Sequence, residues 1–372
     1  MQLVKAKINN FRNLDQVEIE FQDRNFLIGD NAQGKTNILE AIHYLSNGSS
    51  FRSRQDNWLV QHNKNSAMVE CDFIANQQTR NITIAWQKID DKITKLFKLN
   101  GAKISRAKLL GNLLTVLFSP DDTALLRMQP SQRRAFLDAL IAKTDKVYYA
   151  DWLDYLNTLK QRNQLLKLIK QNMVDIDELI DWDHKISETG SRIVRKRHKL
   201  IQEISGLVNQ FFQQIYGSER KVTLTYTTSV DLADPTNYLN YLQQRRIIET
   251  KIGFTMFGPH RDDLEIFLGG WDARQMASQG EFRLLVLALK LAEGEYLKQQ
   301  TKETPIYLLD DVFSELDATK NHALINCLQG LQVVFTTVDH RFTSATDNII
   351  EIDHGAIKKV EYELAEISQP VA

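Results

Sequence analysis

The segment from Gly29 to Thr36 constrains this chain more than any other stretch. It consists of Gly29, Asp30, Asn31, Ala32, Gln33, Gly34, Lys35 and Thr36. An apolar run precedes it and apolar residues at helical spacing follow it, so the sequence predicts a strand, a loop and a helix in that order. Glycines at both ends let the loop turn its backbone N–H groups toward one anion at the helix N-terminus. This pattern predicts a nucleoside triphosphate site, with Lys35 on the β- and γ-phosphates and the Thr36 hydroxyl on Mg²⁺.

A second acidic element follows an apolar run near the C-terminal end of the chain. Residues 306–309 read as a buried strand, and Asp310 and Asp311 come directly after it. A parallel strand that brings a carboxylate beside the P-loop holds Mg²⁺ in P-loop ATPases. We therefore expect Asp310 to hold Mg²⁺, directly or through water. Asp311, with Lys35 as the second catalytic group, would orient or deprotonate the attacking water. Because Asp is shorter than Glu, we expect slow turnover.

Composition limits the class of protein. A length of 372 residues allows two domains, and 43% apolar with 25% charged residues is usual for a globular protein. The sequence has no secretory pattern, no apolar run of the ~20 residues that a membrane helix needs, and no disulfide framework, so we expect a cytoplasmic protein without a membrane partner. With a formal net charge of −1, any polyanion-binding protein of this composition must concentrate its cations in patches.

The pattern of apolar and polar residues changes twice along the chain. Residues 1–28 and 67–118 alternate apolar and polar side chains, which predicts antiparallel strands, with Asn100 and Gly101 as a hairpin turn. Two rows of apolar residues spaced by seven then predict a long helix that packs on the segment around residues 152–166. The rows are Ile186, Ile193, Leu200 and Leu207, and Val194, Ile201, Val208 and Ile215. Residues 218–275 return to strand-like runs.

The predicted fold class is α/β: a P-loop head with an N-terminal antiparallel β-sheet region (1–130), an inserted α-helical arm (131–217) and the C-terminal part of the head (218–372).

A serine-glycine motif opens an apolar helix ahead of the 306–309 strand. Ser278 followed by Glu281 is a capping box, and a plain helix start is the simplest reading of it. Its order relative to that strand, however, resembles the ABC-type ATPases, where such a motif contacts the γ-phosphate held by the other subunit. The resemblance implies an ATP-driven homodimer. The signature residues acting in trans would be Ser278, Gln279 and Gly280, and the D-loop would include Ser314 and Asp317.

Further segments, in order from about residue 3 to residue 345, resemble the RecF family of SMC-like ABC ATPases. These segments are Ile8–Leu14, Asn37–Ile42, Ser50–Arg52, Phe118–Asp122, Arg133–Asp138, Gly258–Asp263 and Leu308–Asp317. The resemblance implies an SMC-like head that uses ATP and Mg²⁺ as a slow, DNA-stimulated conformational switch. It also implies binding to gapped DNA or a single-strand/duplex junction, and RecA loading with RecO and RecR in recombinational repair and replication-fork maintenance. Thr337 stands where many ABC ATPases have a switch histidine, and Phe118–Asp122 is the candidate for the Q-loop position.

The candidates for DNA contact are basic residues. They are Arg52, Arg54, Arg192, Arg195, Lys196, Arg197 and Lys199. The run 192–199 is predicted on the polar face of the long helix, where a phosphate-binding stripe and a solvated charged face are equally open readings. Arg52 and Arg54 could instead form structural ion pairs.

Three other functions compete with this interpretation. An ABC cassette that energises a transporter is disfavoured by the strand-rich start, the helical arm and the Asp310–Asp311 pair. Lys35 and the same pair argue against a scaffold that holds ATP without hydrolysis. A nuclease attached to an ATPase head would need a further acidic metal cluster, which the sequence lacks.

Overall fold

The chain folds into two units, and the P-loop with the strand and the helix next to it belongs to the first. The first unit comprises Met1–Asp122, Gln214–Tyr216 and Leu289–Ala372, and the second comprises Thr123–Gln213 and Gly217–Ala288. The structure, a computed structural model, describes residues 1–53, 55–90, 92–122, 129–217, 219–228 and 232–361. The predicted arm, 131–217, lies in the second unit except for Gln214–Tyr216, and the second unit also takes in 218–288.

Strands and helices in the described part of the chain have these bounds. The strands are β1 (Gln2–Phe11), β2 (Leu14–Glu20), β3 (Arg24–Ile28), β4 (Ser66–Ala75), β5 (Gln78–Ile89), β6 (Lys92–Leu99), β7 (Ala102–Ile104), β8 (Thr115–Phe118), β9 (Val222–Thr227), β10 (Asp263–Leu268), β11 (Trp271–Asp272), β12 (Ile306–Leu309), β13 (Val333–Thr337), β14 (Asn348–Asp353) and β15 (Ala356–Glu361). The helices are α1 (Lys35–Asn47), α2 (Arg106–Leu109), α3 (Pro130–Thr144), α4 (Lys146–Lys170), α5 (Ile180–Tyr216), α6 (Pro235–Ile252), α7 (Ala273–Met276), α8 (Gln279–Thr301) and α9 (Ala318–Cys327).

A largely parallel sheet in the first unit carries the P-loop. Its strand order is β15-β14-β3-β13-β12-β8, and only β15 runs antiparallel to its neighbour. All four residues of β12 are buried, as expected for a strand covered on both faces. The predicted strands before the P-loop and before Asp310 are thus confirmed. Because parallel strands share one carboxyl edge, this sheet brings the P-loop and Asp310 to the same side.

The second sheet of this unit is antiparallel, in the order β2-β1-β4-β5-β6-β7. Its strands alternate buried and exposed residues, so one face packs on a core that includes Trp86 and Tyr44, with ring centroids 4.9 Å apart. Asn100 (φ 50°) and Gly101 (φ 78°) both have positive φ, as a two-residue hairpin turn between β6 and β7 requires. The predicted antiparallel strands and the turn are confirmed for β1, β2 and β4 to β7, whereas β3 and β8, at the ends of the two predicted ranges, pair in parallel in the other sheet.

A long helix runs through the second unit. Helix α5 has 37 residues, and of the two predicted apolar rows only Leu207 is not fully buried. Helix α6 was not predicted: the expectation of strand-like runs over 218–275 is wrong between Pro235 and Ile252. Its signals are local, because Asp234 accepts hydrogen bonds from the backbone N–H groups of Thr236 and Asn237, and Gly253 (φ 91°) ends the helix.

One arginine joins three helices of the second unit. Arg162 of α4 is fully buried and pairs with Asp183 of α5 at 2.8 Å and with Glu249 of α6 at 2.7 Å. A buried charge of this kind is tolerated only when its partners are in place. The helices are therefore fixed to one another by charge as well as by apolar packing.

The prediction that Arg197 lies on the polar face of the long helix is wrong. Its guanidinium is fully buried, lies 2.8 Å from an Asp138 carboxylate oxygen and donates a 2.7 Å hydrogen bond to the Pro259 carbonyl. The rest of the run is also engaged. Arg192 pairs with Asp151, Lys196 with Asp145 and Lys199 with Glu203, while Arg195 donates to the Ala233 carbonyl. Most of this basic run is neutralised within the second unit.

Replacing Arg197 tests whether it serves the core. Arg197→Ala leaves Asp138 without its buried partner, so we expect the free energy of unfolding to fall by about 3–5 kcal/mol. Lys199→Ala on the same helix removes only an exposed ion pair and should cost under about 0.5 kcal/mol. Urea denaturation followed by circular dichroism measures both, and equal losses in the two variants would contradict the structural role of Arg197.

The Gly258–Asp263 segment forms a hydrogen-bonded corner in the second unit. His260 Nδ1 lies 2.6 Å from the Tyr155 hydroxyl and its Nε2 lies 3.2 Å from the Thr255 carbonyl, which fits a neutral ring that accepts from tyrosine and donates to the carbonyl. Burial lowers the pKa of His260 to about 4. Gly258 (φ 139°) is required because a Cβ there would lie 2.2 Å from the Tyr238 hydroxyl.

This corner predicts a pH dependence of stability. The folded-state pKa of His260 is about 4 and an unfolded histidine has a pKa near 6.5, so between these values the unfolded chain binds more protons. Acid therefore weakens the wild type through this residue. From pH 7 to pH 5, the stability advantage of wild type over His260→Gln should shrink by about 2 kcal/mol.

Urea denaturation of both proteins at the two pH values checks this. Subtracting the free energy of unfolding of the variant from that of wild type removes the contribution of titrating groups that both proteins share. Asp262 is one such group: burial raises its pKa to about 6, so its own contribution has the opposite sign. A difference that stays constant with pH would show that His260 keeps an ordinary pKa.

Candidate ATP site

Two residues of the P-loop adopt left-handed backbone conformations just before the helix. Ala32 and Gly34 have positive φ (66° and 115°), and α1 begins directly after them at Lys35. The Lys35 ammonium donates to the backbone carbonyls of Gly29 (2.5 Å) and Asp30 (2.7 Å), which holds it across the loop. Burial lowers the pKa of Lys35, and the charges of Asp311 and Asp310 oppose that shift. The cation is thus held where a triphosphate would replace the carbonyls.

Three side chains converge at the end of β12. The Thr36 hydroxyl donates to the Asp310 carboxylate at 2.9 Å, and the Thr336 hydroxyl donates to the same carboxylate at 2.6 Å. Asp310 is buried, which raises its pKa, while the hydrogen bonds from Thr336 and Thr36 act in the other direction. Hydroxyl and carboxylate oxygens are the ligands that Mg²⁺ prefers, so this group fits the ion that the sequence predicts here.

Asp311 occupies a strained backbone position beside this group. Its φ of 47° and ψ of 31° lie in the left-handed region, which costs a non-glycine residue about 1–3 kcal/mol. Its backbone N–H donates to the Thr336 hydroxyl at 2.9 Å, so Thr336 fixes both aspartates. The conformation brings Asp311 into the lining of the same cavity as Lys35. Thr336 is a site residue that sequence reasoning missed, since a threonine in an apolar strand gives no signal of its own.

A cavity of about 450 Å³ unites these residues. It is lined by Asn13, Asn31, Ala32, Gly34, Lys35, Thr36, Asn37, Arg52, Pro120, Asp310, Asp311, Thr336 and Val338. The P-loop and both aspartates were predicted to meet; Asn13, Asn37 and Val338 were not. Because its walls combine a lysine, an arginine and backbone N–H groups with a metal-binding edge, the cavity suits a triphosphate with its cation.

Arg52 lies in this cavity, not on a separate basic surface. Its guanidinium donates to the Asn37 side chain at 2.7 Å and lies 3.7 Å from Glu40, which is fully buried. Glu40 in turn accepts two hydrogen bonds from Arg12, at 2.7 and 3.0 Å. The placement favours a role for Arg52 at the nucleotide over the predicted contact with DNA. The other arginine of that pair, Arg54, lies outside the described residues.

The hairpin turn between β14 and β15 is hydrogen-bonded to the P-loop. The backbone N–H of Gly355 donates to the Gln33 carbonyl at 2.8 Å, and that of His354 donates to the Gln33 side chain at 2.5 Å. A Cβ on Gly355 would lie 2.2 Å from the carbonyl oxygen of Asn13, and one on Gly29 would lie 2.3 Å from that of Ile352. Both glycines are needed because neighbouring backbones approach this closely.

Comparison with known proteins agrees with this geometry. The family described as the RecF/RecN/SMC N-terminal domain matches residues 2–359. The DNA replication and repair protein RecF of Acetivibrio thermocellus is 35% identical over 347 residues, covering 91% of this chain and 94% of that protein. RecF of Caldanaerobacter subterraneus subsp. tengcongensis is 36% identical over 347 residues, covering 90% and 94%. This chain belongs to the RecF family.

Solved structures extend the likeness to the fold. The recombination mediator protein RecF-ATP in the RecFOR pathway superposes with a TM-score of 0.89 at 34% identity, covering 97% of both chains. RecF-ATPrS gives 0.87 at 35% identity, covering 95% of this chain and 97% of that one. An Smc head bound to the C-winged helix domain of ScpA gives 0.58 at 16% identity, covering 98% of both chains, and shows the fold alone. The predicted SMC-like ABC-ATPase head with an inserted helical arm is thus the fold of this RecF-family chain.

The predicted signature residues lie in the second unit of this RecF-family chain, whereas the residues that line the ATP cavity belong to the first. Ser278 and Glu281 bond reciprocally, at 2.9 Å from the Ser278 N–H to the Glu281 carboxylate and at 3.2 Å from the Glu281 N–H to the Ser278 hydroxyl. The predicted capping box is confirmed. Ser278, Gln279 and Gly280 are exposed, and a Cβ on Gly280 would meet no described atom within 4 Å. The fold of the described chain therefore does not itself require glycine at this position.

The residues predicted for the D-loop, the switch position and the Q-loop have local partners. Ser314 donates to the Asp311 carbonyl at 2.9 Å, and Asp317 caps α9 by accepting from the backbone N–H of Lys320 at 3.0 Å. At the switch position, Thr337 donates to the Asp339 carbonyl at 3.3 Å. Pro120 of the proposed Q-loop segment lines the cavity, and Asp122 lies 3.3 Å from Lys290. In the described part of the chain, no helix has both the length and the apolar character to span a membrane.

Substitution of Gly355 tests whether the β14–β15 turn positions the P-loop. Gly355→Ala forces Asn13 or the turn away from Gln33, so we expect ATP affinity to fall about tenfold or more. Gly101→Ala is the matched control: Gly101 has the same φ of 78°, but a Cβ there meets no described atom within 4 Å. Isothermal titration calorimetry with ATP measures the affinity of both variants. Equal affinities in the two would show that the turn does not position the P-loop.

Proposed function

We propose that this chain is an ATP-dependent DNA-binding protein of recombinational repair and replication-fork maintenance. It binds gapped single-strand/duplex DNA as an ATP-driven dimer and assists the loading of RecA together with RecO and RecR. The observation that carries the proposal is the likeness, over nearly the whole chain, to RecF-ATP of the RecFOR pathway. It is supported by the cavity in which this chain's own P-loop meets Asp310 and Asp311.

The chain's side chains have distinct roles in the proposed ATP hydrolysis. The chemistry that a bound Mg²⁺ would supply here is neutralisation of phosphate charge. Thr36 and Asp310 would hold the ion, and Lys35 would leave the carbonyls of Gly29 and Asp30 for phosphate oxygens. Asp311 would orient the attacking water and accept its proton, with Thr336 fixing the backbone that carries it. The short reach of an aspartate favours slow turnover, as suits a switch.

The signature segment would complete the site across a dimer. The start of α8 offers backbone N–H groups, the Ser278 hydroxyl and the positive end of a helix dipole, all of which attract an anion. The segment Ser278–Gly280 is exposed, and Gly280 leaves room for a close approach. The γ-phosphate held by one copy would meet this segment of the other. ATP would then join the two copies, and hydrolysis would release them.

DNA binding measured with and without ATP tests the proposal. Fluorescence anisotropy on a gapped duplex should show tighter binding with ATP for wild type, and no such gain for Lys35→Met, which loses the phosphate contact, or Ser278→Arg, which blocks the second copy. Ser66→Arg, at an exposed serine that starts β4, is the matched control and should keep the gain. Binding that is indifferent to ATP and to both substitutions would refute the proposed function.

The Asp311→Asn variant separates dimer formation from turnover. It keeps the shape of the site but removes the base, so ATP should persist and the dimer should accumulate in sedimentation velocity runs at saturating ATP. A protein that stays monomeric under these conditions contradicts the ATP-driven dimer. Unchanged ATP turnover in this variant would instead show that Asp311 is not a catalytic residue.

A further inference from the structure

Basic residues concentrate in one stretch of the first unit that the site does not use. Residues 92–119 contain six Lys and Arg residues and no Asp or Glu, in a chain that has 46 basic and 47 acidic residues overall. The six are Lys92, Lys95, Lys98, Lys103, Arg106 and Lys108. They fall on β6, β7 and α2, at one edge of the antiparallel sheet. Such an excess of one charge within a nearly neutral protein gives this edge a local positive potential.

Two lysines stand directly opposite each other on this edge. Lys98 of β6 pairs in register with Lys103 of β7, so their side chains share one face of the sheet. Like charges in this position destabilise a strand pair. Lys98 is partly exposed and Lys103 is exposed, so this face is open to solvent at the pair. We call Lys98 and Lys103 the edge cluster. Arg106 lies nearby in sequence on α2, but it contacts the end of α1, the helix that packs on the buried face of the sheet.

The edge cluster lacks acidic partners in the described chain. Lys98, Lys103 and the nearby Lys108 form no ion pair with any described residue. Arg106 donates hydrogen bonds to two neutral groups, the Asn47 carbonyl (3.2 Å) and the Ser49 hydroxyl (3.1 Å). The far end of the same sheet face is different, because Lys5 and Lys7 of β1 both pair with Glu18 of β2. Lys95, on the opposite face of β6, pairs with Asp56 at 2.7 Å.

Protection of an exposed sheet edge is the simplest other explanation for these lysines. Charged residues, and lysine above all, keep an edge strand from pairing with another chain. That role accounts for Lys103 on the edge strand β7. It does not account for Lys98 on the strand inside it, where the two charges repel. A polyanionic ligand on this face compensates both charges and accounts for the pair.

We infer that the edge cluster is a surface for the phosphate backbone of duplex DNA. The inference rests on the proposed function, which supplies the polyanion, and adds where this chain contacts it. The only aromatic residue between positions 92 and 108 is Phe97, which is buried, so β6, β7 and the start of α2 themselves present no aromatic side chain for stacking unpaired bases. Contacts from lysine and arginine to phosphate carry no sequence information. Binding here is therefore to the duplex part of the substrate and is independent of its sequence.

Salt dependence of duplex binding measures this surface directly. The double variant Lys98→Ala/Lys103→Ala removes two phosphate contacts, so the slope of log K against log salt should become shallower by about 1.8. Affinity for two unrelated duplexes should fall equally, about tenfold or more at 0.1 M salt. The matched control is Lys160→Ala/Lys298→Ala, which removes two exposed lysines elsewhere and should leave the slope unchanged.

A second variant separates function from folding. Lys103→Glu turns the repelling pair into an attracting one, so it should bind duplex more weakly while its melting temperature equals or exceeds that of wild type. ATP affinity should be unchanged in all variants, because none of these residues lines the ATP cavity. A DNA defect accompanied by a lower melting temperature in Lys103→Glu would overturn the inference.

The outcomes also distinguish this inference from the proposed function. Wild type that binds no DNA with ATP present would overturn both. Wild type that binds, with the double variant keeping the wild-type slope and affinity, would overturn only the edge-cluster surface. An oligo-glutamate peptide is the probe for an acidic protein segment as the ligand. Loss of peptide binding in the double variant, with duplex binding intact, would show that the edge recognises protein rather than DNA.

Discussion

The buried carboxylate of Asp310 accepts one hydrogen bond from the Thr36 hydroxyl and another from the Thr336 hydroxyl, and the ATP site depends on this arrangement. The three residues come from the P-loop helix, the end of β12 and the end of β13. Removing a charged carboxylate from water is costly, and each hydrogen bond offsets part of that cost. Since Thr336 also accepts from the backbone of Asp311, one hydroxyl fixes both acidic residues.

Close approach of backbone to backbone is the second condition for this site. Gly29 passes β14 at a distance that leaves no room for a Cβ, and Gly355 passes the β1–β2 turn in the same way. The P-loop is thus enclosed by segments from both ends of the chain: Asn13 near the start and the β14–β15 hairpin near the end. The loop's shape is determined by this tertiary frame together with its own glycines, so residues far from the phosphates can alter nucleotide affinity.

Patterns of short period were enough to predict much of this fold, whereas features that depend on tertiary contact were not. The strands, the long helix and the P-loop follow from alternation, heptad spacing and glycine positions. Arg197 was assigned to the wrong face even though the spacing held a signal. It lies four residues after Ile193 and four before Ile201, on the helix face that those buried residues share. The roles of Thr336 and Arg52 depend on chain segments brought together only by the sheet, and no local pattern encodes them.

The basic run of the long helix and the edge cluster differ in whether their cations have acidic partners. In the second unit, Arg162 and Arg197 are buried against carboxylates, and Arg192 and Lys196 are paired at the surface. These charges stabilise a helical assembly, and a polyanion would have to displace their partners to use them. In the first unit, the edge cluster has no such competition among the described residues. Because the chain is nearly neutral overall, long-range attraction contributes little, and phosphate binding must come from local sites of this unpartnered kind.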